Sequence, residues 1–175
     1  MPGPAKIRVV LVDDSSTVRA VMRRLFSRTD DIEIVDEAAD GAQAVQSVLA
    51  ARPDVVLMDV EMPVLDGYAA TERIMAVCPT PILIFTSRAN RDQLHTAFEA
   101  VARGALDVLA KPEDTVGWER LGVSLPAAVR SLARERSADL VGRRHHREKH
   151  DVALFALERA CISTGDAMAL HDFRP

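Results

Sequence analysis

Asp13 and Asp14 are adjacent and end an apolar run, Ile7 to Val12; Asp59 ends a second, Val55 to Met58. Lys111 follows a third such run, Val108 to Ala110. Short apolar runs of this kind read as buried parallel strands, and polar groups at their C-terminal ends gather at one edge of the sheet. Three carboxylates brought together there repel one another. A hard cation with oxygen ligands relieves that repulsion, and so does a fixed ammonium group. The residue types therefore point to a site that holds a divalent ion and something that ion helps to bind. Taken singly, each is bland: Asp13-Asp14 reads as a turn or helix cap, Asp59 as another turn, and Lys111 as a surface lysine. Their joint placement carries the chemistry.

The elements that would bring these residues together alternate along the chain. Ile7–Val12 reads as a buried strand. Ser15 or Ser16 caps a helix to about Ser27, with Val18, Val21, Met22 and Leu25 at helical spacing. Ile32–Ala38 is strand-like, its alternation marking a more exposed position. Asp40 caps a helix over Ala42 to Ala51, stopped by Arg52-Pro53. Val55–Met58 is the third strand, and a loop from Asp59 to Gly67 enters a helix to about Ala76. Strand Ile82–Phe85, a helix over Arg91 to Ala102 and strand Leu106–Leu109 follow. Trp118 and Leu121 read as a short turn, and Ser124 as the cap of a last helix from Leu125 to about Asp139, with Val129, Leu132 and Ala133 on one face. Phe85 and Phe98 are expected in the core. Such alternation predicts an α/β fold: a flavodoxin-like (βα)5 three-layer sandwich, parallel sheet order 2-1-3-4-5, with a C-terminal helical or partly disordered extension. Its ligand site lies where strand order reverses, beside strands one and three, which is where Asp13, Asp14 and Asp59 fall.

Composition bounds the function. With 175 residues, 48% hydrophobic and 27% charged, the chain has room for one ordinary domain and an appendage. A formal net charge of -4 argues against a general nucleic-acid binder. No apolar stretch approaches the roughly 20 residues that span a bilayer, and residues 1–6 lack the apolar core of a signal peptide. Cys78 and Cys161 have no metal-ligand spacing and read as thiols of a reducing cytoplasm.

Over about Lys6 to Ala133 the chain resembles a bacterial two-component response-regulator receiver domain. The resemblance rests on Val12-Asp13-Asp14-Ser15-Ser16, Leu57-Met58-Asp59-Val60-Glu61-Met62-Pro63, Asp66-Gly67, Thr86-Ser87 and Lys111-Pro112, in order and at fitting intervals. The stretch Asp59 to Gly67, with Gly104-Ala105-Leu106-Asp107 and Lys111-Pro112, is most similar to the N-terminal receiver of chemotaxis-type protein-glutamate methylesterases. The resemblance implies Asp59 as phosphoacceptor, Asp14 as a direct Mg²⁺ ligand, Asp13 holding the metal mainly through water, and the backbone carbonyl of Glu61 as a further ligand. Mn²⁺ is an alternative metal. It implies Lys111 pairing with a phosphoryl oxygen, Thr86 donating its hydroxyl to the phosphoryl group, and a cis bond between Lys111 and Pro112 aiming the lysine inward. The physics agrees with those roles, because phosphoryl transfer needs positioning and charge neutralisation more than covalent help.

The expected partners are a sensor histidine kinase and an unknown downstream protein, with no membrane and no nucleic acid. A conformational change would carry the signal, in chemotaxis-like two-component signalling. No enzyme activity beyond slow self-dephosphorylation is expected, and no methylesterase domain. The family usually carries an aromatic three residues before the lysine, where this chain has Val108. Coupling between Thr86 and such a ring is therefore in question. Output through movement of the helix at Arg91 to Ala102, or through a homodimer using that helix, the fifth strand and the last helix, would be an alternative. Glu61 and Arg88, flanking the site, could face each other and restrict the attacking water. Two other readings stand beside this one: a phosphorylation-independent interaction or dimerisation module, and a truncated methylesterase regulator lacking its catalytic domain.

The receiver is expected over residues 6–133 and a basic linker with a short helical tail over 134–175, with no recognisable output domain. His145, His146 and His150 could bind Zn or Ni, but read as part of a solvated linker. Asp151 to Arg159 is helix-compatible. Ile162-Ser163-Thr164-Gly165 faintly echoes the serine motif of the methylesterase catalytic domain. It lacks a second glycine and leaves no room for a partnering histidine and aspartate.

Overall fold

The computed structural model describes residues 5–87 and 103–142. Strands β1 (Ile7–Val12), β2 (Ile32–Ala38), β3 (Val55–Met58), β4 (Ile82–Thr86) and β5 (Asp107–Ala110) form one parallel sheet in the order β2-β1-β3-β4-β5. This is the flavodoxin-like order expected from the alternation. Helices α1 (Ser16–Phe26), α2 (Gly41–Ala51), α3 (Gly67–Val77) and α4 (Thr115–Gly142) lie on its faces.

Side-chain alternation along each strand divides the core in two. Val10, Val12, Val56, Met58 and Ile84 pack with Ala44 and Val48 of α2 and with Ala70 and Ile74 of α3. Val9, Leu11, Val55, Leu57 and Phe85 pack with Met22 and Phe26 of α1 and with Leu121, Leu125 and Val129 of α4. Strands buried on both faces need apolar residues at every position, and β3 and β4 are buried throughout. The edge strand β2 alternates instead, with its ends buried and Glu33 and Asp36 exposed.

The helix starts are set by side-chain caps. Ser15 accepts the amide of Val18 at 3.3 Å, Asp40 that of Gln43 at 2.8 Å, and Asp66 that of Ala69 at 2.8 Å. Each satisfies one of the amides that a helix start leaves without a partner. Arg52 ends α2 in the left-handed conformation, at φ 49°, just before Pro53.

Two expectations are corrected. Trp118 and Leu121 do not form a separate turn, and the last helix does not begin at Leu125. It starts at Thr115, where Asp114 accepts the amide of Gly117 at 2.6 Å, and it runs through Pro126. The buried stripe Leu121, Leu125, Val129 and Leu132 is continuous across the proline, and its packing outweighs the backbone hydrogen bond that proline cannot donate. Trp118 sits edge-on to Phe85, ring centroids 6.2 Å apart. Secondly, no cis peptide bond occurs among the described residues, so the Lys111–Pro112 bond is trans. The lysine points inward without it, because its amide extends the β4–β5 ladder by donating to the Thr86 carbonyl at 3.1 Å.

The helix expected over Arg91 to Ala102 with Phe98, and also Arg88, His145, His146, His150, Asp151 to Arg159, Cys161 and Ile162 to Gly165, lie outside the described residues. Among the described residues, no helix is long and apolar enough to cross a membrane.

Candidate functional site

At the C-terminal edge of the sheet, the backbone ladder carries on one residue past β1 and β3. The amide of Asp13 donates to the Ala38 carbonyl at 3.1 Å, and that of Asp59 to the Val12 carbonyl at 2.9 Å. These bonds seat both aspartates side by side where β1 lies between β2 and β3. Asp13 is 1% exposed and Asp59 4% exposed, while Asp14 is exposed. One carboxylate oxygen from each of Asp13, Asp14 and Asp59 lies within 4.8 Å of the others.

Lys111 crosses from the end of β5 and bridges the two buried acids. Its Nζ is 2.7 Å from Asp13 Oδ2 and 2.8 Å from Asp59 Oδ2. It also lies 5.9 Å from the centroid of the Phe85 ring beneath it. The outer oxygens are held by backbone: the Ser15 amide donates to Asp13 Oδ1 at 2.9 Å and the Val60 amide to Asp59 Oδ1 at 2.8 Å. The carboxylate of Asp14 makes no hydrogen bond or ion pair among the described residues.

The charges do not balance. Three carboxylates face one ammonium, which leaves two negative charges if all are ionised. The titration of the pair is set by burial and by the bonds between them. Burial pushes the Asp13 carboxyl above its ordinary value, and Lys111 offsets that only in part. Burial also presses Lys111 toward its neutral form, but the hydrogen bonds to Asp13 and Asp59 outweigh it and hold the ammonium above its ordinary value. Both oxygens of Asp13 and Asp59 are held, so what remains is surplus negative charge. The surplus equals the charge of one divalent ion, and an all-oxygen donor set suits Mg²⁺ or Mn²⁺. The residues present therefore fit the metal that the resemblance implies.

Thr86 ends β4 beside Ala110 of β5 and is fully buried. Glu61 is exposed in the loop after Asp59, and its Oε2 accepts from the Ser87 hydroxyl at 3.4 Å. The partner proposed for Glu61 in the sequence, Arg88, is not among the described residues. Val108 is half-buried and packs on the α2/α3 side of the sheet.

Two residues have a part in the site that the sequence reading did not assign them. Gly67 reads there as a motif residue at a helix entry, and a Cβ on it would lie 1.9 Å from the carbonyl oxygen of Asp59. Its amide donates to the Val60 carbonyl at 3.0 Å, so α3 starts directly against the Asp59 backbone. Arg19 donates to the carbonyl of Asp13 at 2.6 Å. Its spacing from the aspartates matches no motif.

Comparison with known proteins agrees with this geometry. Residues 9–117 match the model of the response regulator receiver domain. A protein-glutamate methylesterase/protein-glutamine glutaminase of Caldanaerobacter subterraneus is 40% identical over 130 residues, covering 73% of this chain and 35% of that protein. One from Carboxydothermus hydrogenoformans is 36% identical over 184 residues, covering 98% of this chain and 52% of that protein. The chain thus spans about a third to a half of the length of these curated relatives. Among solved structures, the response regulator domain of Thermotoga maritima CheB is similar at 32% identity and a TM-score of 0.68, covering 74% of this chain and 97% of that one. The CheX-CheY-BeF3-Mg²⁺ complex from Borrelia burgdorferi is similar at 25% identity and a TM-score of 0.59, covering 69% and 90%. With its sheet order, its acidic cluster and this match over residues 9–117, the chain belongs to the response regulator receiver domain family.

Proposed function

We propose that this receiver accepts a phosphoryl group on Asp59 from the phosphohistidine of a sensor histidine kinase, in a Mg²⁺-dependent reaction. The observation that carries the proposal is the bridge of Lys111 to Asp13 and Asp59 inside a cluster with two surplus negative charges. Asp14, Asp13, Asp59 and the Glu61 carbonyl would hold the metal; when bound, it offsets charge on the phosphoryl oxygens. An oxygen of Asp59 attacks phosphorus, the P–N bond to the donor imidazole breaks, and the imidazole keeps the electron pair and takes a proton from solvent. Bonds from Val60 and Lys111 fix the plane of the attacking carboxylate, which is the positioning this reaction needs. Once Asp59 carries the phosphoryl group as an acyl phosphate, Lys111 neutralises a phosphoryl oxygen and the Thr86 hydroxyl donates to another. Water then cleaves the acyl phosphate slowly, returning carboxylate and inorganic phosphate. The BeF3 and Mg²⁺ in the Borrelia burgdorferi complex support this reading, since BeF3 resembles a phosphoryl group in shape and charge.

The modified form would alter the surface around β5 and α4 and so its downstream partner or self-association. We place this in the cytoplasm, in chemotaxis-like signalling, as the methylesterase relatives support. Residues 6–133 form the receiver in this proposal and 134–175 a linker and tail, without methylesterase activity of their own. The match across 98% of the chain to the Carboxydothermus hydrogenoformans methylesterase favours one second reading, that these residues are the regulatory part of such an enzyme.

The test is direct. Incubation with Mg²⁺ and acetyl phosphate should add the mass of one phosphoryl group, seen by intact-mass spectrometry and absent from Asp59→Asn. No mass gain would leave an interaction module as the better account. Hydrolysis of a methylated receptor peptide by these residues would refute the claim that they lack esterase activity.

A further inference from the structure

The exposed Asp14 carboxylate makes no hydrogen bond among the described residues, so its aim depends on the backbone that carries it. That backbone is gripped from the side of α1. Arg19 donates from Nη1 to the carbonyl of Asp13 at 2.6 Å and reaches that of Asp14 at 3.4 Å. Its Nε donates to Glu37 Oε2 at 3.1 Å. Glu37, on β2, is also held by Arg23 Nη1, 2.6 Å from Oε1 and 2.9 Å from Oε2. The side chain of Arg19 is 19% exposed and that of Arg23 55% exposed, so the chain of contacts runs inward from an exposed arginine to a more buried one. A guanidinium is planar and rigid, so anchoring its Nε on Glu37 fixes where Nη1 points.

We propose that Arg19 is a positioning residue for the Asp13-Asp14 metal-binding loop, holding both carbonyls so that Asp14 stays aimed at the metal against the repulsion of Asp13 and Asp59. This rests on the reading of the cluster as a Mg²⁺ site. The choice of group matters. A second lysine among the carboxylates would compete with the metal, as any cation there must. Arg19 instead acts on carbonyl oxygens, and Glu37, which it shares with Arg23, offsets part of its charge on the far side. It therefore orders the loop without filling the cation site. Outer-shell partners of metal ligands are worth about 10–100-fold in metal affinity.

Calorimetric titration of the full chain with MgCl₂ tests this. Arg19→Met keeps the stem and removes the donors. Its Mg²⁺ dissociation constant should rise about tenfold or more, while Arg24→Ala, at an exposed position of α1 outside this chain of contacts, binds as the wild type does. With acetyl phosphate, the half-saturating Mg²⁺ concentration of Arg19→Met should rise while the plateau rate holds. Wild-type affinity in Arg19→Met overturns the proposal. So does an equal loss in Arg24→Ala, or a lowered plateau at unchanged half-saturation, because either marks a general structural role. Should Arg19→Met fail to fold, Arg19→Lys decides, since it keeps a cation but loses the fork. Weaker Mg²⁺ binding supports the proposal and unchanged binding overturns it. If the wild type itself takes up no Mg²⁺, the metal-site reading fails first and this inference with it.

Discussion

Lys111 is the residue on which the site turns. It is one of few groups able to keep two buried carboxylates 2.7 and 2.8 Å from the same atom. Removing one partner of a buried ion pair strands the other, at a cost of about 3 kcal/mol. Lys111→Met should therefore lower stability by about that much at pH 7, measured by urea unfolding. The pH dependence has a definite sign. Burial already holds Asp13 above its ordinary carboxylate value, so the fold binds that proton more tightly than the unfolded chain does. Such a group favours the fold at low pH and weakens it as pH rises from the ordinary value through the raised one. Without the ammonium the rise is larger, so the deficit of Lys111→Met should shrink steadily on acidification. A deficit that stays constant across that range would show that the lysine acts by packing alone. Gly67 acts at the same scale through space instead of charge. In Gly67→Ala the new methyl would meet the Asp59 carbonyl. Pushing α3 off its seat should cost about 3 kcal/mol, read as a lowered melting temperature.

Among the elements, α4 shows where sequence reading stopped. Every strand was legible to within about a residue, because β1, β3 and β4 are short apolar runs and β2 alternates as an edge strand does. The cap Asp40 was legible for the same local reason, and Ser15 as one of two candidates with Ser16; Asp66 was legible only as part of a turn and helix entry. The start of α4 was not, because Pro126 looks like a first-turn residue and only the sheet reveals that Leu121 continues the stripe of Leu125 and Val129. Asp13, Asp14, Asp59 and Lys111 could be placed at one edge from strand ends alone, whereas Thr86 came only with the family resemblance. The grip of Arg19 and the close approach at Gly67 could not, since each depends on a carbonyl direction that side-chain types do not encode. The middle of α4 is tied down by Arg130, whose Nε and Nη2 lie 2.7 and 2.9 Å from the carboxylate oxygens of Asp31. The arginine holds Asp31 below its ordinary carboxylate value. A depressed acid stabilises the fold above the unfolded value and loses that contribution as pH falls through the folded one. The stability gap between wild type and Arg130→Ala should thus be present at pH 7 and close in acid below about pH 4. Urea midpoints from pH 7 to pH 2 would show it, and a gap that persists at pH 2 would count against the ion pair.

For the molecule as a whole, ligand and stability are linked. A metal that binds only the folded chain raises the melting temperature with the logarithm of its concentration. Mg²⁺ should do so here, and Asp14→Asn should remove most of the rise. That variant should leave the metal-free protein at least as stable, since Asp14 is exposed and its loss relieves repulsion. Equal Mg²⁺ responses in the two proteins would exclude Asp14 as a ligand. Alternation along the strands has one more effect on the scale of the whole sheet. Lys111 follows Leu109, whose side chain joins the α1/α4 layer, and it rests over Phe85 of that layer. Thr86 is the next residue after Phe85, so it projects to the opposite side, toward the layer of α2 and α3. A new group on Asp59 that engaged both residues would straddle the sheet. One chemical event at a single carboxylate could then shift the balance of two hydrophobic layers that otherwise share no side chain.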